Sequence, residues 1–214
     1  MRAFQAEAPM TQPFSGTEAL ASFAVGRQIG EQLQSQPFPG LNVDALVAGI
    51  AMVLRGEPCP YKEDELRAAI DELNRRVQRM QKQQANGLAA AGERFLKQNA
   101  GRAGITVTGS GLQYEVLQSG SGKRPTTASR VRVHYEGTLV DGTVFDSSIQ
   151  RGEPIEFPVT GVIAGWTEAL QLMQEGARWK LYIPHELGYG ARGAGGAIGP
   201  YSTLIFEVEL IAVL

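Results

Sequence analysis

The sequence predicts an α+β protein with a helical first half and an antiparallel sheet in its second half. Before Gly101, apolar residues recur at the three- and four-residue spacings of amphipathic helices. From Leu112 onward, apolar and polar residues alternate, as they do in half-buried strands. We therefore expect a flexible N-terminus (1–14), a helical dimerisation domain (15–60), a long connecting helix (61–101) and a sheet domain (102–214).

The composition is that of a globular protein with an ordinary core, since 43% of the residues are apolar and 20% are charged. The 20 basic and 22 acidic side chains give a net charge of −2, without the basic excess typical of nucleic-acid-binding proteins. No apolar run approaches the roughly 20 residues that a membrane helix needs, and the N-terminus lacks the apolar core of a secretory signal. We therefore expect a cytoplasmic protein with no nucleic-acid or membrane partner. The single cysteine, Cys59, has no partner for an internal disulfide.

The first helix is predicted to run from Ser15 to about Gln34. Ser15, with Glu18 three residues later, resembles a capping box, in which side chains satisfy free N–H groups at a helix start. A narrow seam follows the helix at alternating spacings of four and three residues, and its members are Ala19, Phe23, Gly26, Gly30 and Leu33. Each seam glycine weakens the helix by about 1 kcal/mol relative to alanine, and close approach of another helix would offset that cost. We expect this seam to form a homodimer; a contact within the chain is the alternative.

Two further helices are predicted before the sheet. One fits Val43 to Arg55, with Gly56 as its stop. The next extends from about Lys62 to Asn99, and at 1.5 Å per residue it is roughly 55 Å long. Because its apolar stripe is thin and its middle is highly charged, this helix cannot bury itself alone. We interpret it as a spacer between an association module and the sheet domain.

Four stretches of the second half have the alternation of strands: LQYEVLQ, RVRVHYEG, ARWKLYIP and STLIFEVELIAVL. Asp141-Gly142 is a strong signal for a hairpin turn. One short helix interrupts the strands, because Trp166, Ala169 and Met173 lie at helical spacing. The pattern predicts an antiparallel sheet with one helix packed on its face.

Aromatic side chains are expected to meet between this sheet and its helix. Alternation places Tyr135 on the inward face of one strand and Phe206 on the inward face of the last one. The rings that could converge are Tyr135, Phe145, Phe157, Trp166, Tyr189 and Phe206. A plain hydrophobic core is the alternative. A buried tyrosine hydroxyl needs a hydrogen-bond partner, however, and Asp146, directly after Phe145, could supply one, which favours a pocket with a polar rim.

Other kinds of site lack the residues that they require. Asp146, Glu153 and Glu156 suggest a glycosidase pair, but surface carboxylates often cluster by chance. No GxSxG motif accompanies either histidine, and two histidines with one cysteine give no metal-ligand spacing. The stretch GAGGAIG, 193–199, lacks the GxGxxG spacing and precedes a strand, so we interpret it as a mobile loop over the pocket. We expect neither a metal nor a cofactor.

Four separated blocks resemble the FKBP-type, macrolide-binding peptidyl-prolyl cis-trans isomerases. In chain order the blocks are VHYEGTLVDGTVFDSS, VIAGWTEAL, LGYGARGAGGAIGP and STLIFEVEL. The helical half and its long third helix resemble the bacterial subgroup related to the macrophage infectivity potentiator, whose N-terminal helices dimerise. The resemblance implies an antiparallel half-barrel that wraps one short helix, with the substrate proline resting on Trp166.

The resemblance also implies which residues act. The catalytic set would be Tyr135, Phe145, Asp146, Trp166, Tyr189 and Phe206. The set that binds substrate or a macrolide would be Arg151, Ile155, Phe157, Val162, Ile163 and Ile198. Asp146 would accept hydrogen bonds from Tyr135 and Arg151 rather than transfer protons, while the Tyr189 hydroxyl and the Ile163 N–H would bind substrate carbonyls. Three features depart from the family pattern: Ile155 stands where an aromatic residue is common, the stretch from Phe157 to Val162 is short, and Gly199 replaces a proline, which should loosen its loop.

The partners that the resemblance implies are proline-containing peptides, unfolded protein clients and inhibitors of the tacrolimus and rapamycin class. The implied activity is rotation about X-Pro bonds in an apolar pocket, in the service of protein folding. A non-catalytic chaperone or client-binding module with the same pocket is the alternative function. A carboxylate-based hydrolase would need a paired acid that the sequence does not provide.

Overall fold

The computed structural model describes residues 14–35 and 39–214. They belong to two compact units that divide after Met80. The predicted flexible N-terminus lies outside the described residues, apart from Phe14. Within the described ranges, no helix is both long enough and apolar enough to cross a membrane.

Two helices precede the long one. Helix α1 spans Thr17–Gln34 and helix α2 spans Val43–Leu54. The predicted capping box is wrong, because the N-cap of α1 is Gly16 and no side chain caps that end. Ser15 therefore lies one residue too early to bond the first turn. Helix α2 has a side-chain cap, since the Asn42 side chain accepts a hydrogen bond of 2.9 Å from the Ala45 N–H.

The predicted seam of α1 lies at the surface of the described residues. Neither α1 nor α2 buries a residue, and the Phe23 side chain is 57% exposed. A Cβ atom added at Gly26 or Gly30 would meet no atom within 4 Å. The close approach that these glycines permit is therefore not used by any described residue of the chain.

Helix α3 is a continuous helix of 37 residues, Glu63–Asn99. Its end, from Gln81 onward, belongs to the same compact unit as the sheet. The buried residues of α3 are Ala85, Gly92 and Asn99, spaced by seven residues, so that they share one face. The unit that contains the sheet thus begins inside α3, whereas the sequence places the start of the sheet domain at 102.

The second unit is built on an antiparallel sheet of seven strands. The strands are β1 (Ile105–Val107), β2 (Gln113–Gln118), β3 (Arg130–Leu139), β4 (Val144–Ser147), β5 (Ile155–Pro158), β6 (Arg178–Ile183) and β7 (Leu204–Val213). Their order is β1-β2-β6-β7-β3-β4, and β5 pairs with β3. Strand β3 therefore has two partners along one edge, β5 near its start and β4 near its end. The segment that connects β4 to β5 contains polar side chains of the site described below.

The predicted hairpin joins β3 to β4. Gly142 has a φ of 87°, which favours glycine, and the Thr143 N–H donates a hydrogen bond of 2.9 Å to the Asp141 carboxylate. The four strands with clear alternation are present as predicted, and Val131, Val133 and Tyr135 all point into the core. Strands β1 and β5 are too short to have been recognised from alternation.

Two helices accompany the sheet. Helix α4, Ser148–Arg151, is one turn between β4 and β5, and helix α5, Ala164–Leu172, packs on the inner face of the sheet. The predicted α5 stripe is buried, since Ala169, Leu170 and Met173 are all 0% exposed. Gly165 allows this helix to approach β6 closely, because a Cβ there would lie 2.6 Å from the Ile183 Cγ2 atom. The resulting fold is α+β, as the sequence predicts.

Candidate active site

A cavity of about 580 Å³ opens between α5 and the inner face of the sheet. Its lining residues are Tyr135, Phe145, Asp146, Ile155, Phe157, Gly161, Val162, Ile163, Trp166, Tyr189, Ala194, Gly195, Ala197, Ile198 and Phe206. Most of these side chains are apolar or aromatic, with a few polar groups among them. Sites that bind small molecules or peptide side chains have this composition.

Trp166 contributes a buried indole ring to the lining of this cavity. The indole is 4% exposed and is held by three other rings. Its centroid lies 5.4 Å from Tyr135 and 5.2 Å from Phe206, both at nearly perpendicular angles, and 5.6 Å from Phe157. Edge-to-face contacts of this kind add about 0.5–1.5 kcal/mol each to the burial of the rings. The packing therefore fixes the indole as a rigid apolar surface.

Phe145 and Phe206 form a second edge-to-face pair, with centroids 5.4 Å apart. Both rings lie against the main chain of β3 at Gly137, which pairs with Asp146 on one side and with Phe206 on the other. A Cβ atom at Gly137 would lie 2.6 Å from Phe145 Cε2 and 2.8 Å from Phe206 Cε1. The absent side chain therefore makes the space that these two rings occupy.

Three polar side chains form a closed hydrogen-bonded triangle at the rim. The Tyr135 hydroxyl and the Arg151 guanidinium both donate to the Asp146 carboxylate, as the sequence predicts. Arg151 also donates a hydrogen bond of 3.0 Å to the Tyr135 hydroxyl oxygen, and its guanidinium lies 5.7 Å from the Tyr135 ring centroid. Each oxygen of the carboxylate therefore has a donor, one of which is charged.

The triangle determines the ionisation of its members. Partial burial of Asp146 opposes ionisation, but the hydrogen bonds from Tyr135 and Arg151 outweigh it, so the pKa of Asp146 lies below its ordinary value of 3.8. Burial raises the pKa of Tyr135 above 10.0, and the hydrogen bond to Asp146 adds to that effect. The hydrogen bond to Asp146 also raises the pKa of Arg151. Asp146 and Arg151 are therefore charged near neutral pH, and Tyr135 is not.

Ser148 fixes the turn from which Arg151 reaches the rim. Its hydroxyl is fully buried, accepts a hydrogen bond of 2.8 Å from the Tyr135 N–H and donates one of 3.2 Å to the Tyr135 carbonyl. The preceding Ser147 caps helix α4 by accepting from the Gln150 N–H. These bonds attach α4 to β3 and so place Arg151 beside Tyr135. Sequence reasoning missed Ser148, because a single serine in a loop has no distinguishing pattern.

The loop between the end of β6 and β7 contributes one wall of the cavity. Ala194 and Ile198 pair as an isolated bridge, with reciprocal main-chain hydrogen bonds of 2.8 and 3.0 Å. The Ile198 side chain is buried, whereas Tyr189 is 41% exposed at the same cavity. Ile163 is the N-cap residue of α5, a position at which the main-chain N–H has no acceptor within the helix.

All six residues of the predicted catalytic set line the cavity, and so do Ile155, Phe157, Val162, Ile163 and Ile198 of the predicted binding set. Arg151 does not line it but bonds to two residues that do. Four lining residues were not named individually, namely Gly161, Ala194, Gly195 and Ala197, although the last three belong to the loop 193–199 that the sequence places over the pocket. They bring main chain or a single methyl group to the cavity, which leaves no chemical signature in a sequence. Among the described residues, no group of three or more His, Cys, Asp and Glu could hold a metal ion.

Comparison with known protein families gives two matches that together span most of the chain. Residues 121–211 match the model described as FKBP-type peptidyl-prolyl cis-trans isomerase. Residues 18–116 match the model described as the domain amino terminal to FKBP-type peptidyl-prolyl isomerase. The first match contains every lining residue of the cavity. The second contains α2, α3 and all of α1 except Thr17.

Curated proteins and solved structures agree with these matches. The chain is 50% identical over 206 residues to the FKBP-type 22 kDa peptidyl-prolyl cis-trans isomerase of Escherichia coli strain K12, covering 96% of this chain and 100% of that protein. It is 38% identical over 196 residues to the outer membrane protein MIP of Legionella longbeachae, covering 90% and 84% of the two chains. Among solved structures, FkpA from Escherichia coli aligns with a TM-score of 0.69 and 33% identity, covering 94% of this chain and 98% of that one.

Proposed function

Because this chain belongs to the family of FKBP-type peptidyl-prolyl cis-trans isomerases, we propose that X-Pro bonds rotate in the aromatic cavity between α5 and the sheet. The enzyme catalyses cis-trans isomerisation of peptidyl-prolyl bonds. Uncatalysed rotation has a barrier of roughly 18–20 kcal/mol, because it breaks the partial double bond of the amide. The cavity must therefore favour the twisted amide over the planar one.

The lining of the cavity supports catalysis by desolvation. A planar amide is more dipolar than a twisted one, so it loses more when it leaves water for an apolar site. A surface made of Trp166, Phe145 and Phe206 thus binds the transition state better than the ground state. Each preference of about 1.4 kcal/mol gives a tenfold acceleration. No proton has to move, and no group needs to act as an acid or a base.

The polar groups of the cavity then hold the substrate and the walls in place. The proline ring rests on Trp166, while the Tyr189 hydroxyl and the Ile163 N–H bind carbonyl groups of the peptide. Asp146 keeps Tyr135 and Arg151 at the rim and is not a proton donor. The apolar wall, together with the rim, also fits hydrophobic macrolides of the tacrolimus and rapamycin class, which would compete with the peptide.

The observation that carries this proposal is the indole of Trp166, buried and locked by three rings beside the cavity. The chain offers a matched control, because its other tryptophan, Trp179, is also buried but does not line the cavity and stacks on Tyr114 at 4.2 Å. We expect Trp166→Leu to lower kcat/KM for a short X-Pro peptide at least tenfold, an effect of about 1.4 kcal/mol. Trp179→Leu should lower kcat/KM less than twofold where the variant is folded. Equal losses in two folded variants would contradict the proposal.

A homodimer through α1 is the second part of the proposal. The open space beside Gly26 and Gly30 on the exposed seam supports it, because glycines at four-residue spacing permit close approach of a second helix. Two joined isomerase units raise the effective concentration of the second contact with an unfolded client. Refolding of a protein limited by proline isomerisation should therefore depend on the dimer more than turnover of a tetrapeptide does.

The test of the dimer replaces both seam glycines. Gly26→Leu with Gly30→Leu should give a monomer by light scattering while peptide turnover stays unchanged, because the added side chains block close approach. Ala21→Leu with Ala24→Leu adds bulk on the opposite face of α1, at 100° per residue, and should stay dimeric. A dimeric seam variant would refute the interface.

The exposed apolar residues of α2 support a role in holding unfolded clients. Val43, Val47, Val53 and Leu54 are each more than half exposed, and apolar patches of this kind mark interaction surfaces. We assign to α2 the holding of unfolded clients, a role separate from catalysis in the cavity. Replacement of Val47 and Val53 by serine should weaken suppression of client aggregation without changing peptide turnover, and unchanged suppression would refute the assignment.

We also propose that the protein acts in the cytoplasm. The exposed free thiol of Cys59 supports this location, because reducing compartments preserve such thiols. Cell fractionation followed by detection of the untagged protein tests the location, and recovery in a membrane or periplasmic fraction would refute it.

A further inference from the structure

The end of helix α3 packs against the sheet unit behind one wall of the cavity. Ala85 and Gly92 are buried and Leu88, between them, is half-buried, so this face of the helix is covered. A Cβ atom at Gly92 would overlap the Thr203 hydroxyl and would lie 3.2 Å from the Thr203 Cβ atom. The helix backbone thus touches the residue that directly precedes β7. This contact uses none of the residues of the site described above.

Leu88 makes the corresponding contact one turn earlier. A Cβ atom at Gly199 would lie 2.7 Å from the Leu88 Cδ1 atom. Gly199 directly follows Ile198, which is 8% exposed and lines the cavity. The Leu88 methyl group therefore lies on one side of the loop, while Ile198 lies in the cavity wall.

The loop that connects β6 to β7 has few hydrogen bonds near Gly199, one of which joins the Tyr201 N–H to the Gly190 carbonyl at 2.8 Å. Its only regular pairing is the bridge between Ala194 and Ile198, and the Ser202 hydroxyl donates a hydrogen bond of 2.9 Å to the Gly199 carbonyl. Gly195 and Gly196 both have positive φ values, and glycine-rich segments lose much conformational entropy when they are held in one shape. A packed leucine behind the loop offsets part of that cost.

We propose that Leu88 is a positioning residue for peptide binding, which sets the place of the Ile198 wall through Gly199. This inference rests on the proposed function of the cavity, and it adds a specificity-determining element from the long helix. Leu88 does not touch the substrate. It acts by limiting how far the loop moves away from Trp166, so its loss should weaken binding rather than the rotation step.

The experiment measures turnover of a short X-Pro peptide by magnetisation-exchange NMR over a range of peptide concentrations, with the full chain. Leu88→Ala should raise KM about three- to tenfold with kcat within twofold, because ground-state and transition-state binding are lost together. Leu88→Met, of similar volume, should restore KM. Met80→Ala removes an exposed side chain of the same helix and should change neither constant.

A double-mutant cycle tests whether Leu88 acts through the wall. In an Ile198→Ala background, Leu88→Ala should add less than a twofold change, because contacts that work as one unit are not additive. Full additivity, an unchanged KM in Leu88→Ala or a loss confined to kcat would each overturn the proposal.

A second cycle uses Gly199→Ala, which presses on Leu88 from the loop side. This change should alter KM in the wild-type background but not in the Leu88→Ala background. An additive effect of Gly199→Ala would also count against the proposal.

These outcomes are separable from failure of the proposed function. Absence of isomerase activity in the wild-type chain, or full activity in Trp166→Leu, would refute the site itself. Wild-type activity that depends on Trp166 but not on Leu88 would refute only the positioning role. If Leu88→Ala does not fold, Leu88→Val, which shortens the side chain by one methylene group, takes its place in both cycles.

Discussion

The Tyr135 hydroxyl on β3 donates a hydrogen bond to the Asp146 carboxylate on β4, and Asp146 pairs with Gly137, two residues after Tyr135. Arg151 bonds to both members of the pair. A carboxylate that accepts from a phenol and a guanidinium is stabilised in its charged form. Asp146 is therefore a poor general acid and a good anchor for the rim of the cavity.

Asp146→Asn should keep measurable isomerase activity. The amide has nearly the same shape and can still accept one of the two hydrogen bonds, so the rim is weakened but not removed. We expect a loss in kcat/KM of about tenfold or less, equivalent to about 1.4 kcal/mol. Phe145→Ala opens the apolar wall and should cost more. The check is peptide turnover of both variants, each shown to be folded by its amide NMR spectrum. Complete inactivity of a folded Asp146→Asn variant would favour acid chemistry instead.

Turnover of the peptide should be nearly constant between about pH 6 and pH 8, because the lowered pKa of Asp146 and the raised pKa of Tyr135 both lie outside that range. The lowered pKa of Asp146 also determines how the stability of the folded protein depends on pH. A lowered pKa in the folded state gives a stabilising contribution that is present above the ordinary value of 3.8 and is lost as the pH falls through the lowered pKa. The raised pKa of Tyr135 gives a contribution that is present below 10.0 and is lost as the pH rises through the raised pKa, so stability should fall in acid and in alkali but not between pH 6 and pH 8. A bell-shaped profile between pH 6 and pH 8 would contradict proton-free rotation.

Gly137→Ala should damage the cavity, although glycine itself has no chemical role there. The added methyl group would lie 2.6 Å from the Phe145 ring and 2.8 Å from the Phe206 ring, so both rings must move. We expect a destabilisation of about 1–3 kcal/mol, as is typical of overpacked cores, together with a lower kcat/KM. Gly109→Ala is the matched control, since a Cβ there meets no atom within 4 Å. Urea unfolding and peptide turnover of both variants give the comparison, and equal behaviour would mean that the rings are not held by the β3 backbone.

A fragment of residues 81–214 should be more stable than a fragment of residues 102–214. The shorter fragment lacks Asn99, which is 2% exposed and donates a hydrogen bond of 2.9 Å to the Gln113 side chain. It also lacks the Leu96 carbonyl, which accepts from the same Gln113 side chain at 2.9 Å, and the Phe95 ring, 5.9 Å from Tyr182. Loss of both partners of a buried amide costs about 1–3 kcal/mol.

The measurement is the urea midpoint of each fragment, with the slope checked for equal cooperativity. Both fragments contain every residue that lines the cavity, so peptide turnover of the folded fractions should differ less than their stabilities do. Identical midpoints would place the start of the folding domain at 102, where the sequence places it.

Alternation and helical spacing were sufficient to predict the parts of the fold that are long. Strand β7 and helix α5 have enough residues for a pattern to stand out, and their predicted inward faces are buried. The one-turn helix α4 offers no such pattern, and it was missed. The aromatic residues of the cavity were predicted correctly, because aromatic side chains stand out in a sequence and the family resemblance assigned them to the pocket.

The buried face of α3 shows a second limit of prediction from sequence patterns. The sequence interpretation relied on a thin stripe of apolar side chains, whereas the buried positions of α3 include the small residues Ala85 and Gly92. Small residues were overlooked because they signal close backbone contact rather than burial of area. Which neighbour comes close depends on tertiary structure, and that information is not present in the local pattern.

The two tryptophans of the chain lie in different surroundings, and this difference provides an internal spectroscopic reporter. Trp179 is stacked on Tyr114 with 11° between the rings, whereas Trp166 lines the cavity. In a Trp179→Phe variant, all indole fluorescence would come from the cavity, so occupancy could be followed by emission from unlabelled protein. Peptides and macrolides could then be titrated on one scale, and stopped-flow mixing would resolve their association rates without any label or coupled enzyme.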